Sequence, residues 1–384
     1  MNVVLVSDNL QVGGAHVYAV QLANSLAERG IEVTLAYGRY AENPLEARLA
    51  EGVRRLPLGL RPTLSAVEKA NHVANTLRAI RTLKGELRIR SRAVVHTFFA
   101  ASGLPAWIAA THAGVPVVNT PMATSVATNL LTKKLYKNSY IKKIVSVNIA
   151  LSDYIRNDII KEFSIDKIKI VTVRLGVDVR RHHPAHLSLA ERTAQLAGSF
   201  IPEVKLWAGL VARLDPAKCV DLAVRAVAAA DEGVHLAIVG DGPELEPLRR
   251  LAARLGAENR IHFVGRQRDV RPFMRAFDVY LQTTRGPNLG LSALEALASG
   301  VPLLIAARDA DEREMAADTV LGRGGQIADA TSQALARSLD TLMREPDNVR
   351  QSARDEARQL AVERYDWEGH VDGVVQVYVG LAQS

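Results

Sequence analysis

The sequence predicts two α/β domains in tandem, each built on a parallel sheet. Short apolar runs alternate with helical patterns along nearly the whole chain, which is typical of repeated strand–helix–strand units. With 384 residues the chain is too long for one ordinary core and fits two domains of about 150–200 residues. A polar segment rich in His and Arg, residues 180–184, separates two such series and indicates the linker region.

Each series contains six predicted strands. Residues 3–6 are apolar throughout, as in a strand buried on both faces. Gly30 stands where a glycine ends a helix, and Ser152 stands where a serine caps the start of one. Helical patterns fill residues 330–383, with breaks near Pro346 and Asp366. The strands are predicted at residues 3–6, 32–36, 93–97, 116–118, 145–151 and 169–173, then at 206–211, 235–239, 260–264, 279–282, 302–306 and 325–328.

The composition is that of an ordinary globular protein, with 48% hydrophobic and 23% charged residues. No apolar run approaches the roughly 18–20 residues of a membrane-spanning helix, and the first residues lack the pattern of a signal peptide. The single cysteine, Cys219, excludes an intramolecular disulfide. We therefore expect a cytoplasmic protein with no metal site and no cofactor.

The net charge of +7 is distributed unevenly. Residues 1–184 hold 25 Lys and Arg against 13 Asp and Glu, whereas the remainder holds 23 against 28. No acidic residue lies between Glu86 and Asp153, and the cations of this interval are Arg88, Arg90, Arg92, Lys133, Lys134, Lys137, Lys142 and Lys143. Such a surface attracts a phosphorylated acceptor or the anionic inner face of a membrane, unless it is a solvated face without a partner. Nucleic acid is not expected, because no nucleic-acid-binding motif accompanies the charge.

Two glycines, Gly13 and Gly14, lie between the first predicted strand and the helix that follows it. Glycine lets a ligand approach the backbone, and a helix N-terminus offers free N–H groups to an anion. The alternative is that both glycines serve turn geometry alone.

The second half of the chain carries a stronger pattern. Arg213 follows the strand at 206–211, and Lys218 precedes the next helix, so two cations meet at a strand end beside a helix N-terminus. This arrangement predicts a phosphate clamp. Further on, Gly290, Leu291 and Ser292 open a helix that carries Glu295 one turn inside. A carboxylate so placed can accept hydrogen bonds from a ribose, although it also fits an ordinary helix residue.

Taken in order, these blocks resemble glycosyltransferase family four, the group 1 retaining enzymes. The resemblance covers nearly the whole chain and keeps the order and spacing of the family. The blocks are Gly13-Gly14, Leu175-Gly176-Val177-Asp178, Arg213 with Lys218, Gly240-Asp241-Gly242-Pro243 and the segment from Gly290 to Pro302.

The resemblance implies the GT-B fold, with two Rossmann-like α/β domains, a deep interdomain cleft and a C-terminal helix that crosses back to the N-terminal domain. Residues 1–184 with the returning helix 367–384 would form the acceptor-binding domain. Residues 185–366 would bind the sugar nucleotide.

The resemblance also implies the roles of individual residues. Arg213 and Lys218 match the pair that stabilises the leaving diphosphate, and Glu295 matches the carboxylate that holds the ribose. Gly13 and Gly14 match donor-binding glycines, and the loop formed by Gly290, Leu291 and Ser292 meets the donor phosphates through its backbone. His96 is a candidate for the acceptor or sugar side, although a structural histidine fits its pattern equally well.

Three positions on the sugar side depart from the family pattern. The family has a Glu-x7-Glu pair, but Pro287 stands eight residues before Glu295. It has Thr-x-His where this chain reads Thr120-Pro121-Met122, and Gly-Gly before Glu314 where this chain has Ala310-Asp311. The nucleotide and phosphate side keeps the pattern. The departures therefore predict an unusual donor sugar or loose donor choice.

The function that the resemblance implies is metal-independent, retaining transfer of a sugar from a nucleoside-diphosphate donor to a small-molecule, phosphorylated or lipid-linked acceptor. A non-catalytic nucleotide-binding partner subunit with the same fold remains the alternative, because two sugar-side groups are replaced. A sugar-nucleotide epimerase on a related fold fits less well, since the block from Gly290 to Pro302 is typical of the transferases.

Overall fold

The computed structural model describes residues 1–11, 13–38, 43–59, 66–89, 92–98, 100–122, 143–163, 165–198, 201, 204–285, 290–320 and 322–383. The chain forms two compact units. The N-terminal unit comprises Met1–Arg174 and Gly369–Ser384, and the C-terminal unit comprises Leu175–Glu368. Each unit is built on one parallel β-sheet, so the predicted pair of α/β domains is confirmed.

The sheet of the N-terminal unit has seven described strands in the order β3-β2-β1-β4-β5-β6-β7. Its central strands are buried on both faces, which explains their continuous apolar runs. The strands are β1 (Asn2–Ser7), β2 (Glu32–Tyr37), β3 (Val53–Pro57), β4 (Ala93–Thr97), β5 (Val117–Asn119), β6 (Val145–Ala150) and β7 (Ile170–Thr172). The described helices before the linker are α1 (Gly14–Glu28), α2 (Ala66–Arg88), α3 (Ala100–Ala113) and α4 (Asp153–Phe163).

The sheet of the C-terminal unit has six described strands in the order β10-β9-β8-β11-β12-β13. The strands are β8 (Leu206–Val211), β9 (Val234–Val239), β10 (Ile261–Gly265), β11 (Val279–Gln282), β12 (Leu303–Ala307) and β13 (Gly325–Asp329). The described helices of the C-terminal unit are α5 (Leu189–Ala197), α6 (Val220–Ala229), α7 (Leu245–Arg254), α8 (Arg271–Ala276), α9 (Gly290–Ala298), α10 (Ala310–Val320), α11 (Ser332–Arg344) and α12 (Asp347–Arg364). The last helix, α13 (Trp367–Gln383), belongs from Gly369 onward to the N-terminal unit. Two apolar clusters, one on each face, bury this sheet.

The predicted helix ends at Gly30 and Ser152 are confirmed. Gly30 has φ +74° just after α1, and the Ser152 hydroxyl accepts from the backbone N–H of Ile155 at 3.1 Å. Strand β3 was not predicted. It lies at the sheet edge with two exposed arginines and ends in proline, so its sequence lacks the apolar run of the central strands.

The boundary between the units falls between residues 174 and 175, ten residues before the domain boundary expected after residue 184. Residues 175–184 pack into the C-terminal unit because their side chains join its core. Val177 and Val179 are buried in that core, and Val177 pairs with Asp366 in a β-bridge. The polar composition of residues 180–184 therefore marks a turn on the surface of the C-terminal unit.

Candidate functional site

The strand order of the C-terminal sheet reverses between β8 and β11. The chain runs from β8 to β9 and β10 on one side, and then returns to β11, β12 and β13 on the other. In open parallel sheets a crevice forms at the carboxyl ends of the strands where this reversal occurs, and ligands bind there. The segment after β8 carries Arg213 and Lys218, and the segment after β11 leads into Gly290 and Glu295.

The loop that carries Arg213 is held by the glycines that follow β9. Gly240 has φ +146°, and a side chain there would overlap the carbonyl oxygen of Ala212. A side chain at Gly242 would likewise overlap the carbonyl oxygen of Leu214, whose N–H donates to the Asp241 carbonyl at 2.9 Å. The Gly240-Asp241-Gly242 motif thus lets two loops pack backbone to backbone. Arg213 projects from this support with a side chain that is 71% exposed.

Lys218 ends a short 3₁₀ turn, Pro216–Lys218, directly before α6. The carbonyl of Lys218 accepts from the Thr283 hydroxyl at 2.8 Å, and the Arg285 N–H donates to the Ala217 carbonyl at 3.0 Å. Both contacts join the end of β11 to the turn. Among the described residues, the Lys218 ammonium has no ion-pair partner, whereas Nε of Arg213 lies 3.1 Å from the Asp215 carboxylate.

Helix α9 begins beside this turn. Gly290 has φ +79°, a conformation that favours glycine, so the residue is required by the backbone at the helix start. The hydroxyl of buried Tyr280 donates to the Val211 carbonyl at 3.2 Å and also bonds the Ser292 side chain. Tyr280 thereby ties the end of β8 to the first turn of α9.

Glu295 lies one turn further along α9, with its side chain 23% exposed. Burial raises the pKa of the Glu295 carboxyl to about 7, and the positive charge of Arg181 opposes this rise. Within the described residues the carboxylate has one ion-pair contact, with His182, whose Nε2 lies 3.7 Å from Oε1 of Glu295. A carboxylate with so few hydrogen-bond donors around it can accept hydrogen bonds from a ligand.

Arg308 is a further cation of this edge that the sequence did not single out. It follows β12, and its guanidinium donates to the Thr283 carbonyl at 2.7 Å and lies 3.2 Å from the Glu312 carboxylate. It therefore connects the ends of β11 and β12. The only available signal was a charged residue directly after a buried strand.

The corresponding edge of the N-terminal sheet lies between β1 and β4, where its strand order reverses. Gly13 and Gly14 follow β1, but neither has a positive φ. No described atom lies within 4 Å of a Cβ built at Gly14. Neither backbone conformation nor packing among the described residues requires the two glycines.

His96 ends up in the core of the N-terminal unit. Its Nδ1 lies 2.5 Å from the Tyr378 hydroxyl of α13, and its Nε2 lies 2.7 Å from the Thr120 hydroxyl. Burial, together with the charge of His370, lowers the pKa of His96 to about 3. The structure thus places His96 as a neutral packing residue that fixes the returning helix. Met122, two residues beyond Thr120, is partly exposed at the end of β5.

Much of the predicted basic surface lies outside the described residues, as does Pro287. The cations outside are Arg90, Lys133, Lys134, Lys137 and Lys142. Arg88, Arg92 and Lys143 are described and exposed. Helix α2 adds Arg78 and Arg81 to the same exposed face as Arg88, next to the exposed side chains of Leu77 and Ile89.

Two properties of the described ranges are relevant to the expected chemistry. None of the helices in the described part of the chain combines the length and the apolarity that crossing a membrane requires. Among the same residues, no three His, Cys, Asp or Glu side chains are grouped so that they could hold a metal ion.

Two tandem parallel-sheet domains, with cations and a helix start at the switch point of the second, define the class of GT-B glycosyltransferases. The solved structure of Anabaena Alr3699/HepE in complex with UDP and glucose has this fold. It superimposes with a TM-score of 0.79 at 18% identity, over 99% of this chain and all of that one. Sucrose-phosphate synthase from Thermosynechococcus elongatus gives a TM-score of 0.80 at 19% identity over the full length of both chains.

Residues 12–181 match the model of Glycosyltransferase Family 4, and residues 191–360 match that of Glycosyl transferases group 1. The D-inositol 3-phosphate glycosyltransferase of Actinosynnema mirum is 30% identical over 77% of this chain and 76% of that protein. The enzyme of the same name from Kineococcus radiotolerans is 26% identical over 97% and 91%. The chain belongs to the group 1 glycosyltransferases and is a transferase enzyme.

Proposed function

We propose that this protein transfers a sugar from a nucleoside-diphosphate donor to an acceptor with retention of anomeric configuration and without a metal ion. The observation that carries the proposal is the C-terminal switch point, where Arg213 and Lys218 follow the carboxyl end of β8 and α9 follows that of the neighbouring strand β11. A diphosphate bound there faces fixed cations and two helix N-termini.

In this proposal Arg213 and Lys218 stabilise the negative charge that develops on the leaving diphosphate. The Arg213 guanidinium is largely exposed although its Nε contacts Asp215, and the Lys218 ammonium has no ion-pair partner in the described chain, so both cations are accessible to phosphate oxygens. Backbone N–H groups of Gly290, Leu291 and Ser292 add donors at the helix start. Because these groups are in place before the reaction, they need little reorganisation as the charge develops.

Glu295 is proposed to bind the ribose of the donor. Its carboxylate is partly exposed and lies one turn inside α9, at the reach of a nucleoside whose phosphates lie at the helix start. A carboxylate offers two oxygens, so it can accept hydrogen bonds from two adjacent hydroxyl groups.

Retention follows if the acceptor attacks from the face that the diphosphate leaves. The departing phosphate oxygen then accepts the proton of the acceptor hydroxyl, so the chain needs no side-chain base. The packing of His96 agrees with this, because both of its ring nitrogens are already engaged within the N-terminal unit.

An anionic small molecule is the proposed acceptor. Two relatives are named for transfer to D-inositol 3-phosphate, and the first 184 residues of this chain carry a strong excess of cations. A phosphorylated polyol or a phosphorylated lipid-linked acceptor would be attracted by this charge. Gly13 and Gly14 keep the donor-binding role that the resemblance implies, since no described atom crowds Gly14 at the start of α1.

The donor sugar is proposed to be unusual or loosely selected. Pro287 and Met122 stand where the family places a glutamate and a histidine near the sugar. A site that lacks a hydrogen-bonding partner for a hydroxyl cannot reject analogues without that hydroxyl. Met122 offers an adaptable apolar surface instead.

A two-stage assay tests the proposal. First, melting temperatures are measured with UDP, GDP, ADP, dTDP and CDP, since a bound nucleotide stabilises the fold. Sugar nucleotides of the stabilising base, both common and deoxy, are then tested with inositol phosphates in EDTA. We expect turnover, and NMR should show the donor's anomeric configuration in the product. Inversion, or activity that EDTA abolishes, would contradict the proposal, and nucleotide binding without turnover would favour the partner subunit.

The exposed face of α2 is proposed to contact an anionic membrane surface. Arg78, Arg81 and Arg88 lie on it, flanked by exposed Leu77 and Ile89, so charge and apolar contact act together. Wild-type protein should bind phosphatidylglycerol vesicles in low salt but not in high salt, and an R78E/R81E/R88E variant should not bind. An R249E/R250E variant of α7 in the other unit is the matched control. Absence of binding by the wild type would leave α2 as a solvated face.

A further inference from the structure

The turn of residues 178–182 brings His182 to the carboxylate of Glu295. The His182 side chain is 9% exposed, and its Nε2 lies 3.7 Å from Oε1 of Glu295. This is longer than a hydrogen bond, but a small rotation of either side chain would bring the two atoms within range. The proposed sugar transfer gives this imidazole no role.

The backbone of the turn is hydrogen-bonded to Arg358 of α12. One guanidinium nitrogen donates to the His182 carbonyl at 2.7 Å and to the Ala298 carbonyl at 2.6 Å, and the other donates to the Val179 carbonyl at 2.9 Å. Ala298 ends α9, the helix that carries Glu295. Arg358 therefore fixes the backbone of the turn relative to that helix, and so the distance between His182 and Glu295.

The environment of the other ring nitrogen selects the tautomer. Nδ1 of His182 is buried and has no hydrogen-bond partner among the described residues. A neutral imidazole carries one N–H and one acceptor nitrogen, and an unpaired buried N–H is less tolerable than an unpaired acceptor. The proton therefore belongs on Nε2, the nitrogen that faces Glu295.

The charges around the pair favour a neutral histidine and a carboxylate that titrates near neutrality. Burial lowers the pKa of His182 to about 4, with Arg181 and Arg271 lowering it further and Asp178 and Asp269 opposing them. Burial raises the pKa of Glu295 to about 7. Arg181 lowers this pKa from the exposed side, and within the described chain Tyr280 of β11 is a further titratable neighbour.

We propose that His182 is the positioning residue for Glu295: its Nε2–H donates to the carboxylate and keeps it ionised and oriented for the hydroxyl groups of the donor nucleotide. The inference rests on the proposed binding of ribose by Glu295. It predicts that His182 sets the pH range in which nucleotide binds. Binding requires the carboxylate, so affinity is present above the pKa of Glu295 and is lost as the pH falls through it.

The test measures the dissociation constant of one probe between about pH 5.5 and about pH 9, which spans the titration of Glu295. The probe is whichever of UDP, GDP, ADP, dTDP and CDP raises the melting temperature most. His182→Phe removes the donor and keeps the buried volume, so the midpoint should rise by about one pH unit. Affinity would then be about tenfold weaker at pH 6 and unchanged at pH 9. His182→Gln keeps an N–H donor at a similar reach and should retain the wild-type midpoint.

Three further variants separate this inference from its alternatives. His183→Phe, next to the pair but exposed, should leave the curve unchanged. Arg181→Gln should also raise the midpoint, but its effect should vanish at high salt, whereas that of His182→Phe should persist. Glu295→Gln should bind weakly with no titration near neutrality.

The outcomes distinguish failure of the ribose role of Glu295 from failure of the positioning role of His182. If Glu295→Gln binds the probe like the wild type at every pH, the ribose role of Glu295 is wrong. If Glu295→Gln binds weakly but His182→Phe keeps the wild-type midpoint, or loses affinity equally at every pH, His182 is a packing residue and the inference is overturned. Should His182→Phe fail to fold, His182→Leu and His182→Gln provide the same comparison.

Discussion

The carboxyl-end edges of the two sheets have the same strand order at the switch point but differ in how their polar side chains are bonded. At the C-terminal edge, Arg213 is largely exposed, and Glu295 is only weakly satisfied. At the N-terminal edge, the most conspicuous polar residue, His96, is fully buried and both of its ring nitrogens are engaged. The same Rossmann-like topology thus leaves Arg213 exposed and Glu295 weakly bonded in one unit, and buries His96 between two partners in the other.

The difference arises from the returning helix α13. Its Tyr378 contacts His96, and its His370 lies 2.9 Å from the Tyr18 hydroxyl and 2.6 Å from the Arg174 carbonyl. Polar groups of the N-terminal unit therefore hold the end of the chain in place. The C-terminal unit fixes its edge through close backbone contacts at Gly240 and through the side chains of Thr283 and Arg308. Arg213 and Lys218 are not among these supporting side chains. A polar residue at a switch point is accordingly a site candidate only when its hydrogen-bonding capacity is unused.

The comparison predicts its largest effect at the exposed cations. Arg213→Ala and Lys218→Ala should each reduce turnover by about a hundredfold, because each removes a contact to the leaving phosphate worth about 3 kcal/mol. Steady-state kinetics with a working donor give the measurement. Arg225→Ala, which removes an exposed arginine paired with Asp221 on α6, is the matched control. Near-wild-type turnover of both site variants would show that the diphosphate does not bind at this edge.

The close backbone contact between Gly240 and the loop after β8 should not tolerate an added methyl group. Gly240→Ala meets a carbonyl oxygen and a positive φ together, so we expect a loss of about 3 kcal/mol in unfolding free energy. Gly256→Ala is the control, because its φ is +65° but no described atom lies within 4 Å. Urea unfolding should show a clearly larger loss at residue 240. Equal losses would mean that backbone strain alone matters.

At the N-terminal edge, a change should affect stability and spare the donor site. Tyr378→Phe leaves Nδ1 of His96 buried without its partner, which costs about 1–3 kcal/mol. The melting temperature should fall, while the dissociation constant of the nucleotide stays at the wild-type value. Val379→Ala, at an exposed position of the same helix, provides the control. Weakened nucleotide binding in Tyr378→Phe would contradict the separation of roles.

The buried histidines of the N-terminal unit should make the fold sensitive to acid. Burial lowers the pKa of His96 to about 3 and that of His370 to about 4, below the value of about 6.5 in an unfolded chain. The unfolded state therefore binds more protons between these values, so stability is complete above pH 6.5 and falls as the pH decreases. The slope is on the order of 1 kcal/mol per pH unit for each histidine.

Urea unfolding as a function of pH measures this slope. His370→Asn should reduce it, whereas His112→Gln, at an exposed position of α3, should leave it unchanged. An identical slope in His370→Asn and the wild type would show that other groups cause the acid sensitivity.

Sequence periodicity was sufficient to predict the central strands of both sheets, but not the outer strand β3 or the boundary between the units. All twelve predicted strands correspond to observed ones. The pattern was clearest for the central strands, which are buried on both faces and need continuous apolar runs. The missed strand β3 and the displaced boundary share a cause. Arg54 and Arg55 face solvent at a sheet edge, and residues 180–184 form a surface turn, so neither segment needs an apolar pattern.

By itself, the sequence determined that this protein has two parallel-sheet domains, that it resembles the group 1 glycosyltransferases, and which segments carry cations and helix starts. These properties depend on local spacing and on residue type. The tertiary structure decided which polar side chains are used up by packing and which are left for a ligand. That distinction depends on partners far apart in the chain, as His96 with Tyr378 and His182 with Glu295 show, and no local pattern encodes such a pairing.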